Sequence, residues 1–205
     1  MPAIGITGGI STGKTTFCDC LREIVPAAKF FNADYAAREL TDLDPDVKKE
    51  ISAEFGADIY SPAGDLNREQ LRAIILKSAA KKIALEQILH PRIRRQWSAE
   101  AQKHRQFPDF FFADIPLLYE TGGESLCDRV VVVACSPGVQ LARLLERRPP
   151  LEERTAREIM KSQMPLEEKV RRADHVVWNN GERSVLAAQA MSLVELWRQE
   201  KWTKV

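Results

Sequence analysis

The densest chemistry in the chain lies between residues 8 and 15. Gly8-Gly9-Ile10-Ser11-Thr12-Gly13-Lys14-Thr15 matches G-x-x-x-x-G-K-[ST] at every fixed position. Glycines at 8 and 13 admit backbone angles that turn successive N–H groups around a phosphate. A helix starting at Lys14 adds its positive N-terminal end. Lys14 reaches the β- and γ-phosphates of a nucleotide, and the Thr15 hydroxyl is placed to ligate Mg2+. ATP binding is therefore expected at Gly9, Ile10, Ser11, Thr12, Gly13, Lys14, Thr15 and Thr16, with Mg2+ as the accompanying ion. A glycine-rich turn with an incidental lysine is the plainer reading, but it explains neither the apolar stretch before the loop nor the helical pattern after it.

Phosphoryl transfer also needs a carboxylate beside the acceptor hydroxyl, and in some enzymes another behind the metal. Asp34 and Asp114 each follow a short apolar run, where ligands of a parallel sheet collect. Asp34 suits the acceptor side, as the catalytic base. Asp114 ends its run in the manner of an acid in the second shell of Mg2+. Helix capping is the plainer use of both. Downstream, Arg143, Arg147, Arg148, Arg154, Arg157, Arg171 and Arg172 suggest a lid over residues 147–170 that closes on the transferring phosphate. From Arg143 to Arg172 there are seven arginines and two lysines against six glutamates, so most of these charges have surface partners within reach. Arg143 and Arg147, spaced i, i+4, share a helix face and are the two expected at the ATP, with Arg143 the catalytic one.

The elements that must position these residues are legible in outline. Ala3 to Thr7 reads as a strand, Lys14 to Ile24 as a helix, Lys29 to Phe31 as a second strand, and Tyr35 to Leu40 as the start of another helix. From residue 45 to 105 strands disappear. Amphipathic helices are expected over Val47 to Phe55 and Arg68 to Leu76, and over a long stretch from Ile83 to Trp97 that Pro91 interrupts or restarts. Alternation then returns, with strands at Phe110 to Asp114, Arg129 to Ala134 and His175 to Trp178. Helices are expected over Pro137 to Arg147, in a charged stretch to Gln163, and from Ser184 to Trp197. Such interleaving implies an α/β fold of the P-loop NTPase type: a three-layer arrangement with a mostly parallel sheet. The whole chain reads as one such domain with an inserted helical acceptor subdomain (45–105) and a lid.

Composition narrows the classes further. The chain has 205 residues, 44% hydrophobic and 29% charged, with a formal net charge of +1. That balance argues against nucleic acid as the main partner. No apolar run reaches membrane-spanning length, and the N-terminus carries no basic leader, so a cytoplasmic protein is expected. Cys18, Cys20, Cys127 and Cys135 fit no zinc spacing and read as reduced thiols, three of them small core residues. Trp97, Phe107, Phe110 to Phe112 and Tyr119 suit a core better than a stacking platform. Trp197 and Trp202 would pack the closing helix or a partner surface. A monomer or a small homo-oligomer both fit.

Several segments together resemble the dephospho-CoA kinase family. Ile4-Gly5-Ile6-Thr7 leads into the loop. Asn32-Ala33-Asp34, followed by Ala37-Arg38, stands where the family usually has Asp-x-Asp and Ala-Arg. Phe55-Gly56, Gly64-x-Leu66-x-Arg68, Leu85-Glu86 with His90-Pro91, and Asp114-Ile115-Pro116-Leu117-Leu118-Tyr119-Glu120 follow in order. The series ends with Gln163, Lys169, Ala173-Asp174 and Asn179-Asn180-Gly181. The resemblance implies transfer of the ATP γ-phosphate to the ribose 3′-hydroxyl of dephospho-CoA. It implies that the helical insert binds the acceptor, that Arg143 is catalytic, and that Asp34, Arg38, His90, Pro116, Leu117 and Leu118 contact the substrate. His90-Pro91 has a plainer reading as a helix stop. Asn32 departs from the usual acid and leaves Asp34 as the one acid in its motif. Pro149-Pro150 departs from a more polar lid. A kinase for a nucleoside monophosphate or another small metabolite shares most of these features. A nucleotide-switched binding protein does not fit as well, since the chain has neither an Asn-Lys-x-Asp motif nor an Asp-x-x-Gly switch.

Overall fold

A run of apolar and small residues, Ala3–Gly8, forms strand β1 and is buried along its whole length. Parallel strands lie against it on both sides. β3 (Phe111–Asp114) pairs in the register Ile6↔Asp114, and β4 (Arg129–Ala134) in the register Thr7↔Val132. β2 (Lys29–Asn32) and β5 (His175–Trp178) complete a five-stranded sheet in the order β2-β3-β1-β4-β5. Four consecutive valines suit β4 because both of its faces are covered. The chain runs from β1 to β2 and β3 on one side, then crosses to β4 and β5 on the other. The loop after β1 thus lies where the strand order reverses, the usual place for a ligand in such a sheet.

The computed structural model describes residues 2–107, 109–147, 151–200 and 202. Arg148 and the Pro149-Pro150 pair of the expected hinge lie outside the described residues. Two compact units are present: Met1–Phe31 with Glu100–Val205, and Asn32–Ala99.

In the first unit, α1 (Lys14–Ile24) and α9 (Arg183–Gln199) contribute to one core with the sheet. Phe17, Leu21, Phe112, Val131, Val133 and Trp197 are at most 1% exposed there. Burying each such side chain is worth about 1.5–3 kcal/mol. Trp197 packs at 6.0 Å from Phe110 and 6.1 Å from Phe112, and its carbonyl accepts a hydrogen bond from Trp202 Nε1. Both tryptophans therefore serve the closing helix. The remaining helices of this unit are α6 (Pro137–Leu145), α7 (Glu153–Lys161) and α8 (Leu166–Arg172), together with the end of α5 (Ala79–His104). All four cysteines are free, with Cys18, Cys20 and Cys135 buried. Burial raises each thiol above its ordinary value, Cys127 to about 12, so they stand protonated at neutral pH.

The second unit is helical: α2 (Ala33–Leu43), α3 (Pro45–Phe55), α4 (Arg68–Lys77) and most of α5. It starts at Asn32, ahead of the boundary at 45 expected from the sequence. Asp44 caps α3 by accepting from Asp46 and Val47, and Asn67 caps α4 by accepting from Gln70. Arg68 reaches both oxygens of Asp42 at 2.7 Å. Trp97 is 2% exposed.

The expectation that Pro91 interrupts the long helix is wrong, because α5 runs straight through it. Proline there lacks one helical N–H. Nearby, the Ile88 carbonyl accepts from the Arg92 guanidinium at 2.7 Å, and that guanidinium also pairs with Glu50 of α3. Lys81 pairs with Glu54 of α3 at 2.8 Å. Contacts to α3 on both sides of the proline keep the two halves of α5 in line.

Candidate active site

The loop between β1 and α1 is shaped by its own backbone and by three side chains from distant segments. Gly13 caps α1 in the left-handed region at φ 96°, and a Cβ there would collide with the Asn179 side-chain amide. Ser11 also takes a positive φ of 58°. A non-glycine residue held this way costs about 1–3 kcal/mol, a strain the surrounding bonds must offset. Among the described residues no side chain caps the N-terminus of α1, and such a helix end favours an anion. Lys14 Nζ lies 2.9 Å from the Gly9 carbonyl and 3.5 Å from that of Gly8.

The supporting bonds come from far along the chain. Asn179 Nδ2 donates to the Thr12 carbonyl at 2.9 Å, while the Asn179 N–H donates to Ala134 at the end of β4. Gln140 Nε2 on α6 donates to the Ile10 carbonyl at 2.8 Å. The Ile10 N–H donates to Gln163 Oε1 at 2.9 Å. Asn179 and Gln163 enter the sequence reading only through their order in the family, and Gln140 carries no sequence signal at all. Their effect depends on a fold that brings residues more than a hundred positions away to the loop.

Among the loop residues expected at ATP, the Thr12 side chain is 0% exposed and donates to the Gly9 carbonyl. That hydroxyl braces the loop, and the Thr12 N–H donates to the same carbonyl at 3.5 Å. Thr15 is exposed and Thr16 half-buried, both in the first turn of α1.

The arginines separate into two groups. Arg143, in the last turn of α6, puts Nη1 3.9 Å from the Cβ position of Gly13, and its charge opposes the burial-driven rise of the Cys135 thiol. That nitrogen is buried, with no hydrogen-bond partner among the described residues. Arg147, one turn on, is exposed. Arg154 pairs with Glu158, Arg157 with Glu153, Arg171 with Glu168 and Arg172 with Glu124. Glutamates already occupy these four, whereas Arg143 is turned to the loop.

Asp114 closes β3 at 6% exposed, and its charge is felt by Cys18 on α1. Two residues on, the Pro116 carbonyl accepts from the Thr7 hydroxyl at 3.0 Å and from Lys169 Nζ at 2.9 Å. Pro116 and Leu117 are half-buried. Leu118 is 0% exposed and packs against the backbone of Gly5. Its expected contact with substrate is therefore replaced by a core role, because no part of it reaches the surface. Lys169 is itself 0% exposed and held by Glu120. Burial lowers its ammonium below the ordinary value, with Glu120 opposing the shift. The short charged helix that carries Lys169, α8, reads from sequence as solvated chain.

In the second unit, Asn32 is the N-cap of α2, its Oδ1 accepting from the Tyr35 N–H at 2.7 Å. Asn and Asp cap helices about equally well, so the departure at this position costs the fold little. Asp34 stands exposed in the first turn of the same helix, free of the capping role, and Arg38 is exposed one turn on. His90 is half-buried in α5. Burial, reinforced by Lys82 and opposed by Glu86, pushes its imidazole below the usual 6.5.

No cluster of three or more His, Cys, Asp or Glu among the described residues could hold a metal ion. The hydroxyl of Thr15 and the carboxylate of Asp114 are hard oxygen donors of the kind Mg2+ takes, and Mg2+ commonly keeps water and substrate phosphates as its other ligands.

The sequence model described as dephospho-CoA kinase matches residues 2–184. A Bacillus cereus dephospho-CoA kinase is 36% identical over 196 residues, covering 95% of this chain and 96% of the relative. Among solved structures, TT1252 from Thermus thermophilus superposes with a TM-score of 0.75 at 28% identity, over 95% of this chain and 97% of that one. A dephospho-CoA kinase from Campylobacter jejuni shares the fold with a TM-score of 0.66 at 24% identity, over 95% and 96% of the two chains.

Proposed function

The chain belongs to the dephospho-CoA kinase family, and we infer that it transfers the γ-phosphoryl group of ATP to the ribose 3′-hydroxyl of dephospho-CoA, giving CoA and ADP. The observation that carries this reading is the loop itself. Its backbone turns through positive φ at Gly8, Ser11 and Gly13, with a buried guanidinium nitrogen of Arg143 beside Gly13.

In this reading the loop N–H groups other than those of Ile10 and Thr12, which already donate to Gln163 and Gly9, hold the phosphates of ATP with the start of α1, and Lys14 and Arg143 offset the charge that develops during transfer. Asp34 orients the 3′-hydroxyl and accepts its proton as the new O–P bond forms and the bond to the β-phosphate oxygen breaks. The ion that Thr15 would hold, with Asp114 behind, is Mg2+, whose contribution when bound would be to offset phosphate charge. Arg38, His90, Pro116 and Leu117 would take the acceptor, and the described part of 147–170 would cover the transferring group. A cytoplasmic setting belongs to the same proposal, supported by four free thiols and by the lack of a membrane-length apolar helix among the described residues.

The test is ADP release by purified protein with Mg-ATP, offered dephospho-CoA, a panel of nucleoside monophosphates, or no acceptor. Stimulation by dephospho-CoA alone is expected. Stimulation by a monophosphate instead would overturn the acceptor while leaving the donor in place.

A further inference from the structure

Ile10 is gripped on both sides of its backbone. Its carbonyl accepts from Gln140, and its N–H donates to Gln163 Oε1. The residue after Gln163 is tied elsewhere: the Met164 N–H donates to Glu120 Oε1 at 3.0 Å. Lys169 Nζ lies against both oxygens of Glu120, 2.9 Å from Oε1 and 3.1 Å from Oε2, and the same ammonium holds the Pro116 carbonyl. Two consecutive residues thus join the phosphate loop to the Pro116–Glu120 segment. One bond reaches forward to the loop, and the next reaches back to a carboxylate whose own place is set by a fully buried lysine.

The end of the loop that Gln163 touches can be identified from Lys14. Its ammonium, the group that reaches the β- and γ-phosphates, rests on the carbonyls of Gly8 and Gly9, directly before Ile10. The Ile10 amide therefore belongs to the γ-phosphate end. A glutamine is chemically apt at this position. Its carbonyl accepts one backbone N–H while adding no negative charge beside a triphosphate, and its NH2 remains a donor. A carboxylate would make the same bond but repel the phosphate.

We propose that Gln163 is a positioning residue that holds the γ-phosphate end of the loop in register with the Pro116–Glu120 segment, and so lets the site distinguish ATP from ADP. The proposal rests on the phosphoryl-transfer reading for its purpose, but its deciding test, nucleotide binding, does not use the acceptor.

Gln163→Glu is nearly isosteric and keeps the bond to Ile10. Binding of ATP and of ADP to this variant would be measured by calorimetry in Mg2+ buffer, alongside the melting temperature. The expected result is an ATP affinity that falls about tenfold relative to ADP, from the added charge at the γ end, with an unchanged melting temperature. Gln163→Ala should lower kcat about tenfold through a loosened loop, with the KM for dephospho-CoA within about twofold of wild type. A Gln163→Glu protein that binds ATP and ADP in the wild-type ratio would overturn the proposal, and so would equal weakening of both nucleotides. Failure of dephospho-CoA to stimulate wild-type turnover would count against the acceptor alone and leave the binding result standing.

Discussion

In the first unit, the groups assigned to the phosphate donor are held from several directions: Gly13 by its φ and the neighbouring Asn179, Ile10 by two glutamines, Thr12 by Gly9 and Asn179. In the second, Asp34 and Arg38 stand exposed and His90 half-buried, on helices that bury Val47, Ile51, Phe55, Leu71 and Trp97 and carry caps and ion pairs at their surface. In the proposed reading, donor recognition is built chiefly from backbone, and acceptor recognition from side chains. A backbone site depends on loop shape, which a short local motif can specify. A side-chain site depends on which residues meet after folding, and its members show little individually. The first unit should therefore tolerate little change of geometry, while the second should respond to the chemistry of single groups.

That contrast can be broken in several places. The largest expected effect is at Asp34. Asp34→Asn should cut turnover by about 10²–10⁴-fold while ATP affinity stays at the wild-type value. Wild-type-like turnover would remove Asp34 as the base. Arg143→Ala should lower kcat by about a hundredfold, on the scale of losing one donor to a developing charge. Steady-state kinetics would show this as a fall in kcat without a matching rise in the KM for dephospho-CoA. At Asn32, replacement by Ala should cost about 1 kcal/mol through the lost cap, whereas Asp should be nearly neutral. Urea unfolding of the two variants side by side would separate a capping role from a chemical one.

The smallest effect concerns His90. Because burial lowers its folded-state value below 6.5, the unfolded chain binds more protons just under that pH. Stability therefore rises with pH through this window, and acid removes it. His90→Gln should flatten that part of the stability–pH curve, below pH 6.5. An unchanged slope in denaturant titrations would assign the acid sensitivity elsewhere.

The difference between the units also explains what was readable in advance. β1, the loop and α1 follow from a local motif and local periodicity, and the structure forms them at those positions. The continuity of α5 through Pro91 was not readable, since a proline signals a break locally while the packing of α5 on α3, where Arg92 and Lys81 meet glutamates, is set by distant residues. Nor was Lys169: a lysine among Glu and Arg looks solvated until Glu120, 49 residues away, is placed beside it. Leu118 was read as a substrate contact by its family segment, yet the close approach of Gly5 draws it into the core. Asn179 and Gln163 could be ordered within the family pattern, but their bonds to the loop needed the assembled sheet.

The placement of the tryptophans has a spectroscopic consequence. Trp97 is the only one of the four within Asn32–Ala99, where it is 2% exposed. Trp178, Trp197 and Trp202 belong to the other unit, and Trp197 lies at the centre of its core. Emission from a protein that keeps Trp97 alone would report the melting of the helical unit by itself. Emission from a Trp97→Phe protein would report the sheet unit. Whether the two give way together under heat or denaturant is thus open to an ordinary fluorimeter, with no added dye.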